Sequence, residues 1–405
     1  MHSGQNGWYV QNAIVLNASA AIQLPIQKAG QMDLGFSRKA DFTKWVVSAG
    51  LLTESFVLID VGVQGGENIR WRPLGDHLVV HGFDPIEEAI EILIQGNRGR
   101  SNRHYHCMAL GDADGERAFY FNSANPTASS MYRQGTGRFD VETAEQVRIV
   151  RMRRLDSLLA QDVVPKADFV KIDVEGFEKE VLLGAREVLC ASVLGLHTET
   201  NFAVSPAYPK SHFGTLVELA LENHLLVFDV AFNRIPRASY QRALIQKGLE
   251  PISEQDILGR PATVDVLFSR DLIDEVDHPG NYQSPCRPFT VNELIKSMVI
   301  FELHALNDVA LDTAERFAEC LGAHLDVDRA VHLLADPDCM TNYYRKQMSA
   351  LEQQMRAQRR AFEEQMRAQR HAFELSTSWR ITAPLRWAKT LVFGEPANSR
   401  KSVDN

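Results

Sequence analysis

The stretch "FVLIDVGVQGGENIR" (residues 56–70) decides the fold, because an apolar run leads into an aspartate and then into a glycine-rich turn. Residues 56–59 show no polar alternation, which is typical of a strand buried on both faces of a parallel sheet. Asp60 then lies at the carboxyl end of that strand. Gly62 and Gly66 allow the backbone to turn tightly and to approach a ligand closely. The pattern predicts a nucleotide-type cofactor site, with an ordinary strand-to-loop turn as the alternative.

Strand-like apolar runs alternate with helical patterns from residue 55 to about residue 270. The predicted strands are 56–60, 77–84, 104–110, 116–122, 148–155, 168–174, 193–199, 224–230 and 263–270. The predicted helices are 85–96, 177–190 and 211–224. This alternation predicts an α/β domain with a mainly parallel sheet and helices on both faces, and the last two strands fit an antiparallel edge.

The composition is that of a soluble globular protein, with 405 residues, of which 45% are hydrophobic and 23% charged. The five cysteines form no CxxC pair, which argues against a disulfide scaffold or a structural zinc site and favours a reducing compartment. The first residues lack the basic and apolar regions of a signal peptide, and no stretch reaches the roughly 18 apolar residues that span a bilayer. We therefore expect a cytoplasmic protein.

Asp84 ends the second predicted strand, where a carboxylate is well placed to bind both hydroxyls of a cofactor ribose. The glycine turn reads G-x-x-G-G, so the dinucleotide fingerprint G-x-G-x-x-G is absent. This combination favours S-adenosylmethionine over NAD, because S-adenosylmethionine has no pyrophosphate to be held at a helix N-terminus.

Two further segments place polar residues near strand ends. In "CMALGDADGERAFYF" (107–121), Ala109 and Leu110 are predicted to flank the adenine and Asp112 to accept from its amino group; a hairpin turn with solvated aspartates is the alternative.

In "ADFVKIDVEGFEKEVLLGA" (167–185), the ionisable residues Lys171, Asp173 and Glu175 alternate with apolar ones and so share one face of a strand. Buried charge is costly unless it is paired or functional, so Asp173 and Glu175 are candidate catalytic residues. Neutralisation of an acid by Lys171 is the structural alternative.

The segments "LIDVGVQGG", "GFDP", "ALGDADGE", "RLDSL", "KIDVEGFEKEVLLGA" and "TVDVLF" resemble, in this order, the FkbM family of S-adenosylmethionine-dependent methyltransferases. The resemblance covers about residues 55–270. It implies a class I methyltransferase (Rossmann-like) fold and O-methylation of a hydroxyl, often on a sugar or a natural product.

The resemblance also implies that Asp60, Gly62 and Gly66 surround the methionine part of the cofactor and that Asp84 binds the ribose. Gln64, in the same turn, belongs to the predicted cofactor site. Val63–Gln64 stands where the family more often has Ala–Asn, so the contacts to the cofactor carboxylate are expected to differ in detail.

Methyl transfer requires an aligned oxygen nucleophile and a group that takes up its proton. Asp173 and His197 are the candidate bases, with Glu175 beside them, and His197 has the more suitable ordinary pKa. A rival chemistry would bind Mg²⁺ through Asp173, Glu199 and Asn201 to polarise a sugar diol. The spacing of these residues does not establish a metal site, and none is predicted.

The C-terminal part carries an 11-residue repeat, "EQQMRAQRRAF" (352–362) followed by "EEQMRAQRHAF" (363–373), which predicts a self-associating amphipathic helix. "STSWRITAPLRW" (376–387) resembles a segment at the ends of bacterial surface-polysaccharide glycosyltransferases and their partners. Its aromatic and basic residues suit a membrane interface or an enzyme partner.

The predicted organisation has six parts. They are a helical lead-in (1–54), an FkbM-type methyltransferase domain (55–275), a linker (276–289), a helical region (290–345), an amphipathic helix or short coiled coil (346–378) and a basic tail (379–405).

The expected function is O-methylation of a saccharide hydroxyl in bacterial surface-polysaccharide biosynthesis. Methylation of a lipid or small natural product, or a non-catalytic scaffold for glycosyltransferases, are the alternatives. The chain has a net charge of −9 although its C-terminal end is basic, and an acidic body argues against nucleic acid as a partner. Self-association, a glycosyltransferase partner and peripheral contact with the inner face of the membrane are expected of the C-terminal helix.

Overall fold

The computed structural model describes residues 40–133, 145–202, 211–236, 238–248, 259–282 and 288–335. These residues form a seven-stranded sheet and a three-stranded sheet. The strands are β1 (Phe56–Val61), β2 (Leu78–Asp84), β3 (Arg103–Cys107), β4 (Ala109–Leu110), β5 (Gly115–Asn122), β6 (Glu145–Arg153), β7 (Phe169–Ile172), β8 (Gly195–Asn201), β9 (Leu226–Ile235) and β10 (Arg260–Ser269).

Helices connect most of these strands. The α-helices of the described residues are α1 (Asp41–Ser48), α2 (Glu87–Gly96), α3 (Leu155–Ala160), α4 (Glu178–Leu183), α5 (Arg186–Ala191), α6 (Phe213–Leu221), α7 (Ala238–Gln246), α8 (Leu272–Asp277), α9 (Val291–Leu303), α10 (Asn307–Arg316), α11 (Ala318–Leu321) and α12 (Val327–Leu334). Three short 3-10 helices span Ile69–His77, Pro126–Ala128 and Pro279–Asn281.

The large sheet has the strand order β3-β2-β1-β7-β8-β10-β9. β1 is parallel to β2 and β7, β2 is parallel to β3, and β7 is parallel to β8. β10 is antiparallel to both β8 and β9. The predicted α/β fold, with a mainly parallel sheet and an antiparallel edge, is therefore confirmed. The order reverses between β1 and β7, and in open parallel sheets ligands bind at such a switch point, beyond the carboxyl ends of the strands.

Helices cover both faces of the large sheet. On one face, α3, α4, α5 and α6 pack in the same cluster as Ile59 and Val61 of β1. On the other face, α1, α9, α10 and α12 pack with Leu58 of β1 and Val80 of β2. Because side chains alternate along a strand, Asp60 shares the second face with Leu58. That face therefore changes from apolar to ionisable towards the carboxyl ends of the strands.

Two predicted elements divide at close backbone contacts. The predicted strand 104–110 forms β3 in the large sheet and β4 in the small one. The predicted helix 177–190 forms α4 and α5, which break at Gly184. A Cβ at Gly184 would lie 1.9 Å from the carbonyl oxygen of Gly111, so two glycines let these backbones touch. Helical periodicity does not predict this break, because the contact joins residues that are distant in sequence.

Helix α9 belongs to the same core as the strands. All residues from Leu294 to Leu303 are buried, and they cluster with residues of α1, β1, β2 and β7. A helix buried on every side is a core element. The core therefore extends beyond the predicted methyltransferase domain (55–275) into the predicted lead-in and the predicted helical region (290–345).

Two buried charged residues of α9 reach across this core. The Lys296 ammonium lies 2.9 Å from both carboxylate oxygens of Asp168, which also accepts from the Val57 amide at 2.7 Å. The Glu302 carboxylate accepts from the amides of Phe42 and Thr43 at 2.9 and 2.8 Å. Helix α1 has no side-chain cap of its own at Ala40, so Glu302 satisfies amides at its N-terminus.

Several predicted segments lie outside the described residues: 1–39, the linker portion 283–287, and everything from residue 336 onward, including the 11-residue repeat and the segment 376–387. Within the described ranges, no helix combines the length and the apolar character needed to cross a bilayer.

Replacing Glu302 by Ala should lower the free energy of unfolding by about 2–3 kcal/mol, because two buried amides at the start of α1 lose a charged acceptor. Urea unfolding followed by circular dichroism measures this loss. The exposed Glu315 of α10 is the control, and Glu315→Ala should change stability by less than about 0.5 kcal/mol. Equal losses in the two variants would show that Glu302 is not a cap.

Candidate functional site

The glycine turn lies where β1, β2 and β7 end together. The amides of Gly62 and Val63 donate to the Phe83 carbonyl of β2 at 2.8 and 3.2 Å. On the other side of β1, the Asp173 amide donates to the Val61 carbonyl at 2.9 Å. Main-chain hydrogen bonds thus place the turn at the switch point of the sheet.

Gly62 and Gly66 both have backbone conformations that favour glycine. Their φ angles are +82° and +88°. A Cβ at Gly62 would also lie 2.0 Å from the Asp173 carbonyl oxygen, so even a methyl group has no room there. The amide of Gly66 donates to the Val63 carbonyl at 2.8 Å, which closes the turn.

Asp84 is the last residue of β2 and is only 5% exposed. One of its carboxylate oxygens accepts from the Ile86 amide at 2.8 Å. Gly62 is hydrogen-bonded to Phe83, the residue that precedes Asp84. The acid and the glycine turn therefore lie at neighbouring strand ends. This is the arrangement expected of a cofactor site.

A buried lysine joins two acids beside the turn. The Lys171 ammonium lies 3.4 Å from an Asp60 carboxylate oxygen and 3.3 Å from an Asp173 oxygen. Burial lowers the pKa of Lys171, but the two carboxylates outweigh burial and hold that pKa above its ordinary value. Lys171 therefore stays charged at neutral pH and neutralises part of the acidic charge.

A second acidic pair lies further along the same edge, where Glu199 of β8 stands directly opposite Asp265 of β10. Burial, then the charge of Asp265, raises the pKa of Glu199 to about 8. Burial, then Asp173, raises the pKa of Asp265 to about 6. The Asn233 amide donates to Asp265 at 3.3 Å. The sequence interpretation missed Asp265; its signal is a lone acid inside the apolar run "TVDVLF".

His197 is a poor candidate for the predicted base. It pairs in register with Lys171 across β7 and β8. Burial, Arg70 and Lys171 together lower the pKa of His197 to about 3. Its imidazole is therefore neutral and only weakly basic at neutral pH. The choice of His197 relied on the ordinary pKa of histidine, which burial between two cations does not preserve.

Glu175 lies beyond the end of β7 in a turn held by other residues. It is exposed and has a φ of 57°. Its carbonyl accepts from the Ser130 hydroxyl at 3.0 Å. Glu178, fully buried, accepts from the Gly176 amide at 2.8 Å, and burial raises its pKa to about 7. Glu178 and Ser130, which the sequence interpretation did not select, thus hold the turn that carries Glu175.

Residues 123–131 form a strap that runs between the glycine turn and the turn that carries Glu175. At one side, the Gln64 side chain donates to the Pro126 carbonyl at 3.4 Å. At the other, Ser130 contacts the turn of Glu175. The predicted cofactor residue Gln64 therefore contacts the strap, which no sequence motif indicated.

The three predicted adenine residues follow β3. Ala109 and Leu110 form β4 and are buried, and β4 contacts β2. Asp112 is partly exposed, and its carboxylate lies 3.7 Å from the Arg117 guanidinium. Asp112 thus has an ion-pair partner within the small sheet.

The alternative of a magnesium site finds no support among the described residues, in which no group of three or more His, Cys, Asp or Glu side chains is arranged to hold a metal ion. Asn201, one of the three proposed ligands, donates from its amide nitrogen to the Ser211 carbonyl at 3.2 Å.

The strand order, the glycine turn after β1 and the acid at the end of β2 define a class I methyltransferase fold. Residues 60–212 match the profile of the Methyltransferase FkbM domain. Residues 60–212 therefore form an FkbM methyltransferase domain, as the sequence predicted. The predicted cofactor of this class, S-adenosylmethionine, is confirmed with it. No curated protein sequence matches the chain.

Solved structures that resemble the chain are distant in sequence. Methyltransferase FkbM from Methylobacillus flagellatus KT is 13% identical with a TM-score of 0.28, over 52% of this chain and 43% of that one. The chain thus aligns with less than half of that protein's length. A Burkholderia thailandensis 1,6-didemethyltoxoflavin-N1-methyltransferase with bound S-adenosylhomocysteine is 12% identical with a TM-score of 0.26, over 59% and 81% of the two chains. An rRNA methylase from Streptococcus thermophilus is 11% identical with a TM-score of 0.28, over 57% and 93%.

Gly62→Ala should destabilise the protein more than a positive φ alone explains. Gly99 is the matched control, because its φ is +85° and nothing lies within 4 Å of a Cβ placed there. Gly99→Ala should cost about 1–2 kcal/mol through backbone strain. Gly62→Ala should cost at least about 2 kcal/mol more, because the β1 turn must move away from β7. Denaturant unfolding measures both; similar losses would mean that the approach of β1 to β7 tolerates a side chain.

Proposed function

We propose that this protein transfers a methyl group from S-adenosylmethionine to a hydroxyl of a saccharide. The FkbM domain supports methyl transfer. The hydroxyl acceptor is supported by one observation above all. Three acids lie together beside the glycine turn: the Asp173 carbonyl adjoins Gly62, Glu199 is paired with Asp265 across β8 and β10, and the charge of Asp173 contributes to raising the pKa of both.

The residues of the glycine turn have the chemistry needed to bind the methyl donor. The turn has three glycines at positive φ, and two buried carboxylates, Asp60 and Asp84, lie beside it. In our proposal, Asp60, Gly62, Gln64 and Gly66 hold the methionine part. When bound, S-adenosylmethionine supplies a methyl group on a sulfonium that is already activated for transfer.

The remaining cofactor contacts are assigned by position. Asp84, at the end of β2, accepts from the ribose hydroxyls. Ala109 and Leu110 flank the adenine, because their strand contacts β2. Asp112 accepts from the adenine amino group, which requires its carboxylate to separate from the Arg117 guanidinium. Among the cofactor contacts, we therefore assign Asp112 the smallest contribution to binding.

The edge beyond the donor turn is rich in groups that bind hydroxyls. Glu199, Asp265, Asn233 and Thr263 occupy facing positions on β8, β10 and β9. Carboxyl, amide and hydroxyl groups that lie this close together favour binding of an acceptor with several hydroxyls over binding of an apolar lipid. A saccharide has that chemistry.

The different pKa values of the two facing acids suit them to different roles. Glu199, with a pKa of about 8, is protonated at neutral pH and can donate to an acceptor oxygen. Asp265, with a pKa of about 6, is ionised and can take the hydroxyl proton. Asp173, which lies 3.3 Å from the Lys171 ammonium, orients the acceptor near the donor turn. We therefore assign the base to Asp265 in place of His197.

A methyltransferase for a small natural product, and a scaffold without turnover, are the competing functions. A lipid acceptor would require an apolar surface at the acidic edge. We place the enzyme in the cytoplasm, with its C-terminal segment recruiting a glycosyltransferase, a second copy of the chain or the inner membrane surface, on the pattern of the sequence "STSWRITAPLRW".

Asp84→Asn should weaken the binding of S-adenosylmethionine about 10- to 100-fold, since one charged acceptor for the ribose is lost. The asparagine carbonyl can still accept from the Ile86 amide, so the turn is kept. Isothermal titration calorimetry measures the dissociation constant. The exposed Asp76 provides the control variant Asp76→Asn, which should bind normally. Unchanged affinity in Asp84→Asn would remove Asp84 from the ribose site, and no binding by the folded unmodified protein would favour the scaffold.

Labelled methyl transfer to a panel of glycans, lipids and small phenols tests the acceptor, and Asp265→Asn tests the base. Transfer to a glycan is expected. Because Asp265 must be ionised, kcat should rise with pH through about 6 and level off above it. Asp265→Asn should lower kcat by about 100-fold or more and remove that rise.

The control for Asp265→Asn is Asp229→Asn, on the exposed edge strand β9, which should leave both kcat and the pH profile unchanged. Transfer to lipids or phenols but to no glycan would overturn the saccharide acceptor. An intact pH profile in Asp265→Asn would instead overturn the base.

A further inference from the structure

We propose that Lys171 is a positioning residue that keeps Asp60 and Asp173 ionised together, so that the methyl donor meets a site of fixed charge. This inference rests on the proposed function, because it assumes that the donor binds at the glycine turn. The role differs from simple support of the fold, since it predicts a specific coupling between donor binding and protons.

The contacts of Lys171 all lie within the donor site. Its ammonium is 3.4 Å from Asp60, 3.3 Å from Asp173 and 3.4 Å from the carbonyl oxygen of Gly62. These partners belong to the end of β1, the end of β7 and the first residue of the turn. The side chain of Lys171 is 14% exposed and that of Asp60 is 4% exposed, so water screens their interaction weakly.

Within the cluster of Asp60, Asp173 and Lys171, two carboxylates and one ammonium leave a single net negative charge. Without the ammonium, two carboxylates would share a poorly hydrated space, and like charges so close cannot both remain ionised at neutral pH. One of them would bind a proton. The donor carries a sulfonium, an ammonium and a carboxylate and so has one net positive charge, and its binding would therefore favour the loss of that proton.

Other charged groups face this cluster and titrate near it. His197 on β8 pairs in register with Lys171 and is neutral, and Arg70 lies near His197. Glu199 and Asp265 lie beyond Asp173 and titrate between pH 6 and 8. These groups remain in every Lys171 variant. Lys171 itself lowers the pKa of His197 and of Asp265, so the charge-keeping variant Lys171→Arg is the reference that leaves the surroundings of these groups unchanged.

The chain contains a matched control. Lys296 is also buried and also bridges to an acid near β1 and β7, but its partner Asp168 precedes β7, at the opposite end of the strands from the turn. Loss of Lys296 leaves a carboxylate unpaired in the core without touching the donor site. It therefore reproduces the general cost of removing a buried lysine.

The experiment measures the dissociation constant of S-adenosylmethionine at pH 6, 7 and 8 by isothermal titration calorimetry. The variants are Lys171→Met, Lys171→Gln, Lys171→Arg and Lys296→Met, each checked for folding by circular dichroism. For Lys171→Met and Lys171→Gln, the ratio of the dissociation constant to that of the unmodified protein should be roughly tenfold larger at pH 6 than at pH 8. The sign follows from the donor's positive charge, which favours the deprotonated pair.

Lys171→Arg keeps the charge, so its ratio should vary less than about twofold over this range, as should that of Lys296→Met. Lys171→Gln retains hydrogen-bond donors for both acids and serves where Lys171→Met does not fold. A ratio that does not change with pH in the folded Lys171→Met and Lys171→Gln variants would overturn the inference. A pH dependence of the same size in Lys171→Arg or Lys296→Met would overturn it as well. Failure of the unmodified protein to bind the donor at any pH would overturn the proposed function instead.

Discussion

The contact between the Gly62 backbone and the end of β7 is the constraint on which the site depends. A Cβ at Gly62 would lie 2.0 Å from the Asp173 carbonyl oxygen, so β1 and β7 can end side by side only if residue 62 has no side chain. Hydrogen bonds from the Gly62 and Val63 amides to the Phe83 carbonyl then bring the end of β2 to the same place. Because three strand ends meet there, their terminal acids are concentrated at one edge. The cationic side chain of Lys171 offsets part of the repulsion that results.

At the same edge of the sheet, two chemically identical side chains have different neighbours and therefore different surroundings. Asp173 and Asp265 are both aspartates, one just beyond the end of β7 and the other in the middle of β10. Asp173 lies 3.3 Å from the Lys171 ammonium, whereas Asp265 faces Glu199 in a half-buried position, and its pKa rises to about 6. Facing acids on adjacent strands destabilise a sheet. Acids with perturbed pKa values cluster at functional sites, so this pair supports the proposed acceptor site at this edge.

The helices after the linker complete the domain that carries this edge. Helix α9 lies in the core of the sheet face on which Asp60 and Lys171 stand. Its two buried charges contact residues more than a hundred positions away, Lys296 at Asp168 and Glu302 at α1. Stability of the glycine turn is therefore coupled to a segment without any chemical motif. The N-terminal and C-terminal parts of the described chain are joined through this helix into one hydrophobic core.

By itself, the sequence determined the local features: the strand–glycine-turn unit, the acids at the ends of β1 and β2, the mainly parallel sheet with its antiparallel edge, and the family. These follow from short-range rules, namely the period of two along a strand and the freedom of glycine at positive φ. The tertiary structure alone decided that His197 is a weak base, that Asp265 faces Glu199, and that α9 fills the core. Each of these depends on the register between strands that are distant in sequence and on the loss of water around the groups they bring together. Both quantities exist only once the chain has folded.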